Sequence, residues 1–303
     1  MQHPFPPQAY LIGAQKAGTT SLAFLLQLHP KISISHPKET HYFSSNFYKG
    51  LEWYRSKFSN TDDALLLDAS TSYTMANLDS SRNSGVYGDV AGRISALRQD
   101  AKFIYLLREP VERTISAYWH NVRFGSERRP FRDAIIESPA YVWTGQYHQQ
   151  LQRFLNYFDR SAFLLLDFRE LERDPGAMAR KVVRFLGLSD ADVSFDLGEP
   201  KNRGFQLTRL GRAVAEVFGG DSAFFESARF VREVAPAYLY RRARSLLITE
   251  LEPIAAADRA WLRELFREDD EELRKWAGIT LLDQRRAFGD PAASCSIEPE
   301  DQI

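Results

Sequence analysis

Two segments of the chain carry residue types that could handle a phosphorylated ligand. In the first, a short apolar stretch, Tyr10-Leu11-Ile12, leads into Gly13-Ala14-Gln15-Lys16-Ala17-Gly18-Thr19-Thr20, and an apolar-periodic stretch follows from Ser21 to Leu28. Strand, glycine-containing turn and helix in that order make a phosphate cradle. Glycine lets the main chain approach an anion, and the first turn of a helix points free N–H groups at it. Nucleotide-hydrolysing P-loops place lysine directly after the second glycine, followed by Ser or Thr. Here Thr19 stands in that position and the lysine is Lys16, inside the loop. The Mg-nucleotide signature thus fails at a defining position, while Lys16 can still reach a phosphate or a leaving-group oxygen. The plain alternative is a strand-to-helix turn with a surface lysine.

The second segment puts Arg108 directly after the apolar run Phe103 to Leu107 and before Pro110, with Ser116 two turns into the helix that Pro110 opens. In open parallel sheets, ligands bind beyond the carboxyl ends of the strands. Arg108 is therefore expected near the crevice that holds Gly13 to Thr20. A guanidinium fork and a hydroxyl can share one phosphate. The alternative is a structural ion pair of Arg108 with Glu109 or Glu112. Arg113 is expected on a solvated helix face.

The elements that must position these residues follow from periodicity. Continuous apolar runs at Tyr10–Ile12, Ile32–Ile34, Ala64–Leu67, Lys102–Leu107 and Ala162–Leu166 read as buried strands. Helices are expected over Ser21–Leu28, Val90–Arg98, Pro110–Phe124, Gln146–Phe158 and from Pro175 to Gly187. Strands and helices alternate, which predicts an α/β fold with a central parallel sheet flanked by helices, P-loop-like and three-layered. From Leu207 to Trp276 the pattern is almost wholly helical, giving a helical C-terminal part. One domain is expected over residues 1–288, with a polar, disordered tail over 289–303.

Together the two segments resemble the sulfotransferases that use 3′-phosphoadenosine 5′-phosphosulfate (PAPS). Gln15-Lys16-Ala17-Gly18-Thr19-Thr20-Ser21-Leu22 resembles their 5′-phosphosulfate loop. Arg108 to Tyr118, with Pro110 and Ser116 at fixed offsets, resembles their 3′-phosphate segment. His29-Pro30 and Lys38-Glu39-Thr40-His41-Tyr42-Phe43 are similar to heparan-sulfate-type members and their bacterial small-molecule relatives. So are Asp174-Pro175 and Phe185 to Leu188. The likeness runs over roughly residues 8 to 205. It implies that Ala17, Gly18, Thr19, Thr20 and Ser21 hold the 5′-phosphate, that Tyr147 lies by the adenine, and that Lys201, Arg203 and Gly204 form a late cofactor loop. It also implies in-line attack of an acceptor hydroxyl on sulfur, with adenosine 3′,5′-bisphosphate (PAP) leaving. Lys16 would then offset charge on the bridging oxygen, and Glu39 would take the hydroxyl proton, with His41 the competitor for that role.

Other classes are excluded or left as rivals. A net charge of −1 argues against nucleic acid as a partner, and the apolar runs are too short to cross a bilayer, so no membrane insertion is expected. No basic n-region with an apolar core opens the chain, and the single cysteine, Cys295, forms no disulfide within it, so a cytoplasmic location is expected. The histidines lack metal-ligand spacing and Asp167 reads as a strand-end residue, so no metal is expected. Many aromatics between Tyr42 and Trp143, and Ala69 where heparan-type members often keep a lysine, favour a small, apolar or natural-product-like acceptor, free or carrier-bound, over a charged sugar chain. The stretch Arg123 to Arg132 is expected to be a solvated loop. The rivals are a nucleotide kinase or NTPase with a degenerate loop, which would bind ATP-Mg, and a non-catalytic protein that binds the nucleotide without transfer.

Overall fold

The computed structural model describes residues 5–59, 63–79, 89–191, 193–195, 206–207, 248–249 and 251–282. The strands β1 (Ala9–Gly13), β2 (Ile32–Ile34), β3 (Leu65–Ala69), β4 (Lys102–Leu107) and β5 (Phe163–Asp167) form one five-stranded sheet in the order β2-β3-β1-β4-β5. Every pairing in it is parallel. Strand β1 is central and wholly buried, which is why its residues read as one apolar run rather than an alternation.

The helices are α1 (Thr19–Gln27), α2 (Gly50–Arg55), α3 (Val90–Leu97), α4 (Pro110–Arg123), α5 (Phe131–Glu137), α6 (Ala140–Trp143), α7 (Tyr147–Leu155), α8 (Phe168–Arg173), α9 (Pro175–Phe185) and α10 (Ala256–Ala277). Their starts are specified locally. Pro110 and Pro175 sit in the first turns of α4 and α9, and the carboxylates of Glu109 and Asp174 accept the main-chain N–H of Glu112 and Ala177 at 2.6 and 2.8 Å. On α9, Met178, Ala179, Val182 and Val183 make the stripe that packs on the sheet core. Helix α9 contacts both α1 and α8, while α10 lies against α4 and α7. A second core joins α4, α5, α6 and α10 through Val111, Tyr118, Phe131, Tyr141, Leu262 and Phe266.

The described C-terminal part holds the long helix α10 and one short antiparallel pairing, Gln206–Leu207 (β6) with Ile248–Thr249 (β7). Two expectations are corrected. Arg113 is fully buried, because α6 packs over α4 and offers it the Tyr141 carbonyl. The stretch from Arg123 to Arg132 is not simply solvated: Glu127 is buried, and its carboxylate pairs with Arg129 at 2.7 Å. The segment Lys201 to Gly204 and the tail from 289 lie outside the described residues.

Candidate active site

The loop after β1 is built for close approach. Gly13 leaves the strand where a Cβ would sit 2.3 Å from Thr74 Oγ1 and 2.9 Å from the Tyr105 ring. Gly18, at φ +86°, is the residue before α1, and a Cβ there would meet Phe168 and Leu171 at 2.8 and 2.9 Å. Between them the N–H of Ala17 closes on the Ala14 carbonyl at 3.1 Å, and Leu22 makes the first helical bond, to Gly18. No side chain caps the start of α1. The N–H groups of its first turn, from Thr19, Thr20 and Ser21, therefore keep their capacity to bind an anion. Ala17 and Thr19 are buried, Gly18 and Ser21 half-buried and Thr20 exposed.

Arg108 leaves β4 beside this loop. Its Nη1 donates to the Lys16 carbonyl at 3.1 Å, and its guanidinium lies over the Phe168 ring at 4.9 Å. Glu112 is paired to Arg259, and Glu109 is occupied at the start of α4, so Arg108 has no acidic partner among the described residues. Arg108 and Ser116 line one cleft of about 390 Å³, together with Trp119 and Arg259. Tyr147 reaches this site through the main chain. Its ring is only 1% exposed, so it presents no open face to the cleft, and its hydroxyl donates to the Arg108 carbonyl at 2.7 Å.

Sequence reasoning passed over His120. Its Nδ1 lies 3.4 Å from Lys16 Nζ. Burial, then the neighbouring Lys16 and Arg123 cations, push its pKa down to about 4, so at neutral pH the ring is uncharged and accepts from the ammonium. Burial, then Arg123 and Arg108, also lower the pKa of Lys16. A signal existed: His120 follows Ser116 by one helical turn and so shares its face of α4.

Glu39 and His41 occupy the segment that passes the carboxyl end of β3. The Glu39 N–H donates to the Ala69 carbonyl at 3.0 Å. Its Oε2 accepts from the N–H and hydroxyl of Thr71 at 2.7 and 3.1 Å, and its Oε1 from Lys38. His41 Nδ1 is 2.8 Å from Ser72 Oγ and 4.0 Å from Glu39 Oε2. The turn that follows β3 is tied to β1, since Thr74 Oγ1 donates to the Ile12 carbonyl at 2.8 Å. The Glu39 segment follows β2 and the Lys16 loop follows β1, the two neighbours of β3, so both leave the parallel sheet at the same end. Lys16, Glu39 and His41, at φ +69°, +66° and +51°, are also the non-glycine residues with positive φ among those described. Side-chain-bearing residues take this region rarely, and such positions gather at functional sites. Asp167, in turn, caps α8, accepting from the Arg169 N–H at 2.9 Å.

A parallel sheet with a lysine-bearing glycine loop at its centre and an arginine at the neighbouring strand end is a frame suited to a group transferase. A family model described as "Sulfotransferase domain" matches residues 6–197, and the chain belongs to that family. It is 30% identical over 207 residues to human bifunctional heparan sulfate N-deacetylase/N-sulfotransferase 2, a match covering 60% of this chain and 22% of that protein. It is 30% identical over 196 residues to mouse heparan sulfate glucosamine 3-O-sulfotransferase 3A1, covering 60% and 46%. The chain thus spans about a fifth to a half of the length of these curated relatives. The crystal structure of a sulfotransferase from Alicyclobacillus acidocaldarius superposes with a TM-score of 0.55 at 28% identity, covering 73% of this chain and 94% of that one.

Proposed function

We propose that this sulfotransferase uses PAPS and delivers its sulfuryl group to a hydroxyl of a small, largely apolar acceptor, with PAP as the product. The observation that carries the reading is the link between Arg108 and Lys16, at 3.1 Å, with Ser116 in the same cleft as Arg108. Cationic and hydroxyl groups for a phosphate at one end of a ligand are thereby held against a loop suited to a second anionic group.

PAPS supplies the activated sulfuryl group; the chain supplies position and charge. The first-turn N–H groups of α1 hold the 5′ end, and Arg108 with Ser116 holds the 3′-phosphate. As the acceptor oxygen bonds to sulfur, the bond from sulfur to the bridging oxygen breaks, and its electron pair leaves with PAP. The Lys16 ammonium, steered by neutral His120, stands where that charge grows. The acceptor proton passes to the Glu39 carboxylate, which Thr71 and Lys38 hold in one orientation. His41, beside it, orients the acceptor. Phe124 packs against His120, ring centroids 4.6 Å apart and planes tilted by 55°, and is 40% exposed, which supports an apolar acceptor next to the reacting groups.

Isothermal titration calorimetry with PAP and with ATP-Mg tests the nucleotide. PAP is expected to bind and ATP-Mg to bind far more weakly. Preference for ATP-Mg would overturn the reading in favour of a kinase or NTPase.

A further inference from the structure

Asp68 is the penultimate residue of β3 and is fully buried. A buried carboxylate is costly unless its lone pairs are met. Here Oδ1 accepts from Ser70 Oγ at 2.7 Å, and Oδ2 from Thr40 Oγ1, Tyr54 OH and Tyr73 OH at 2.8, 2.7 and 2.6 Å. The donors come from three separate places: the segment holding Glu39 and His41, helix α2, and the turn after β3.

Those hydroxyls have a second role. Each spends its proton on Asp68 and has lone pairs left, and three consecutive main-chain N–H groups use them. His41 donates to Ser70 Oγ at 3.1 Å, Tyr42 to Thr40 Oγ1 at 3.2 Å, and Phe43 to Tyr73 OH at 3.4 Å. The direction of every bond in the set follows from the carboxylate, which can only accept. Thr40, anchored by its hydroxyl, lies between Glu39 and His41, the residues at φ +66° and +51°. A turn with side chains in that region persists only where its surroundings over-determine it.

We infer that Asp68 is a positioning residue for transfer: through Thr40, Ser70 and Tyr73 it holds the Glu39–Phe43 segment in the left-handed turn that aims Glu39 at the acceptor. It touches neither donor nor acceptor. The inference rests on the reading of Glu39 as the base.

Thr40→Val is the main test, because it removes one hydroxyl, keeps the side-chain shape and alters no charge. Three quantities are read on the full chain: amide hydrogen exchange, PAP affinity by calorimetry, and release of PAP from PAPS with water as the acceptor. In Thr40→Val, exchange at Glu39 and at His41 to Phe43 is expected to accelerate about tenfold or more, with β1 and β4 unchanged, and PAP release to slow by about tenfold or more. PAP affinity should stay within about twofold of wild type. Thr40→Ser, which keeps the donor, should restore both rates. Asp68→Asn should match or exceed Thr40→Val; should it fail to fold, the Thr40 pair still decides. Normal PAP release or unchanged exchange in Thr40→Val would overturn the inference. Glu39→Gln separates the two readings. Collapse there with normal release in Thr40→Val defeats the positioning role alone, whereas normal release in Glu39→Gln defeats the base assignment and, with it, the aim ascribed to Asp68.

Discussion

Arg108 grips the main chain of the loop that carries Lys16, through one hydrogen bond from Nη1 to the Lys16 carbonyl at 3.1 Å. The arginine at the end of β4 and the loop after β1 therefore support one another, and a change at either alters the setting of the other.

Replacing Arg108 by alanine removes the bond to the Lys16 carbonyl and, on the proposed reading, a charge-assisted phosphate contact. PAP affinity measured by calorimetry should fall by about 1.5–3 kcal/mol, or about 10–150-fold. Arg108→Lys should not restore it, since an ammonium lacks the planar fork that reaches the loop carbonyl and lies over Phe168 together. Undiminished affinity in both variants would remove Arg108 from the site.

Lys16→Ala should act on the chemical step more than on binding. A preorganised group facing developing charge is worth about 10²–10³ in turnover, so single-turnover PAP release should fall by that order. A loss confined to donor affinity would show that Lys16 serves only ground-state binding.

His120 makes stability depend on acidity. Its folded-state pKa, about 4, lies below the ordinary 6.5, so the unfolded chain takes up the proton first. Stability on its account is lost as pH falls from about 6.5 through 4. Asp269, raised to about 6 from 3.8 mainly by burial, works oppositely, favouring the folded state as pH falls from 6 towards 4. A single-site comparison separates them. Between pH 7 and pH 5, urea unfolding should show His120→Asn gaining about 1 kcal/mol relative to wild type, a figure halved for the partial exposure of the ring. A pH-independent difference would show that the ring is not held neutral.

Gly18→Ala would place a methyl group 2.8 Å from the Phe168 ring and 2.9 Å from Leu171 at φ +86°. Strain and overpacking together should cost about 2–4 kcal/mol in urea unfolding and abolish PAP binding. A variant of wild-type stability would mean that α8 yields easily to the loop.

Much of the scaffold was legible because it is written in local signals. Strand β4 begins and ends where its apolar run does, and Pro110 opens α4. That the Lys16 loop and Arg108 meet at neighbouring strand ends was legible because glycine placement and apolar runs fix where the strands stop. What escaped depends on distant segments meeting. Arg113 looks solvated in its helix, and only the packing of α6 over α4 buries it. Asp68 draws on Tyr54 and Thr40, far from it along the chain, and nothing local in an aspartate at a strand end announces a hub of hydroxyls. The inverted backbone at Glu39 and His41 is equally silent, because glycine or asparagine, the usual markers of that conformation, are absent from both positions.

That last feature bears on how the molecule could be re-engineered. Where Lys16, Glu39 and His41 stand, the main chain would settle more readily around glycine. Optimisation that relieves backbone strain for heat tolerance would be drawn to those very sites, and on the proposed reading would remove the groups that act. Robustness in this enzyme has to be sought elsewhere, in the α4–α10 core or the outer strands, with the three awkward residues left where they are.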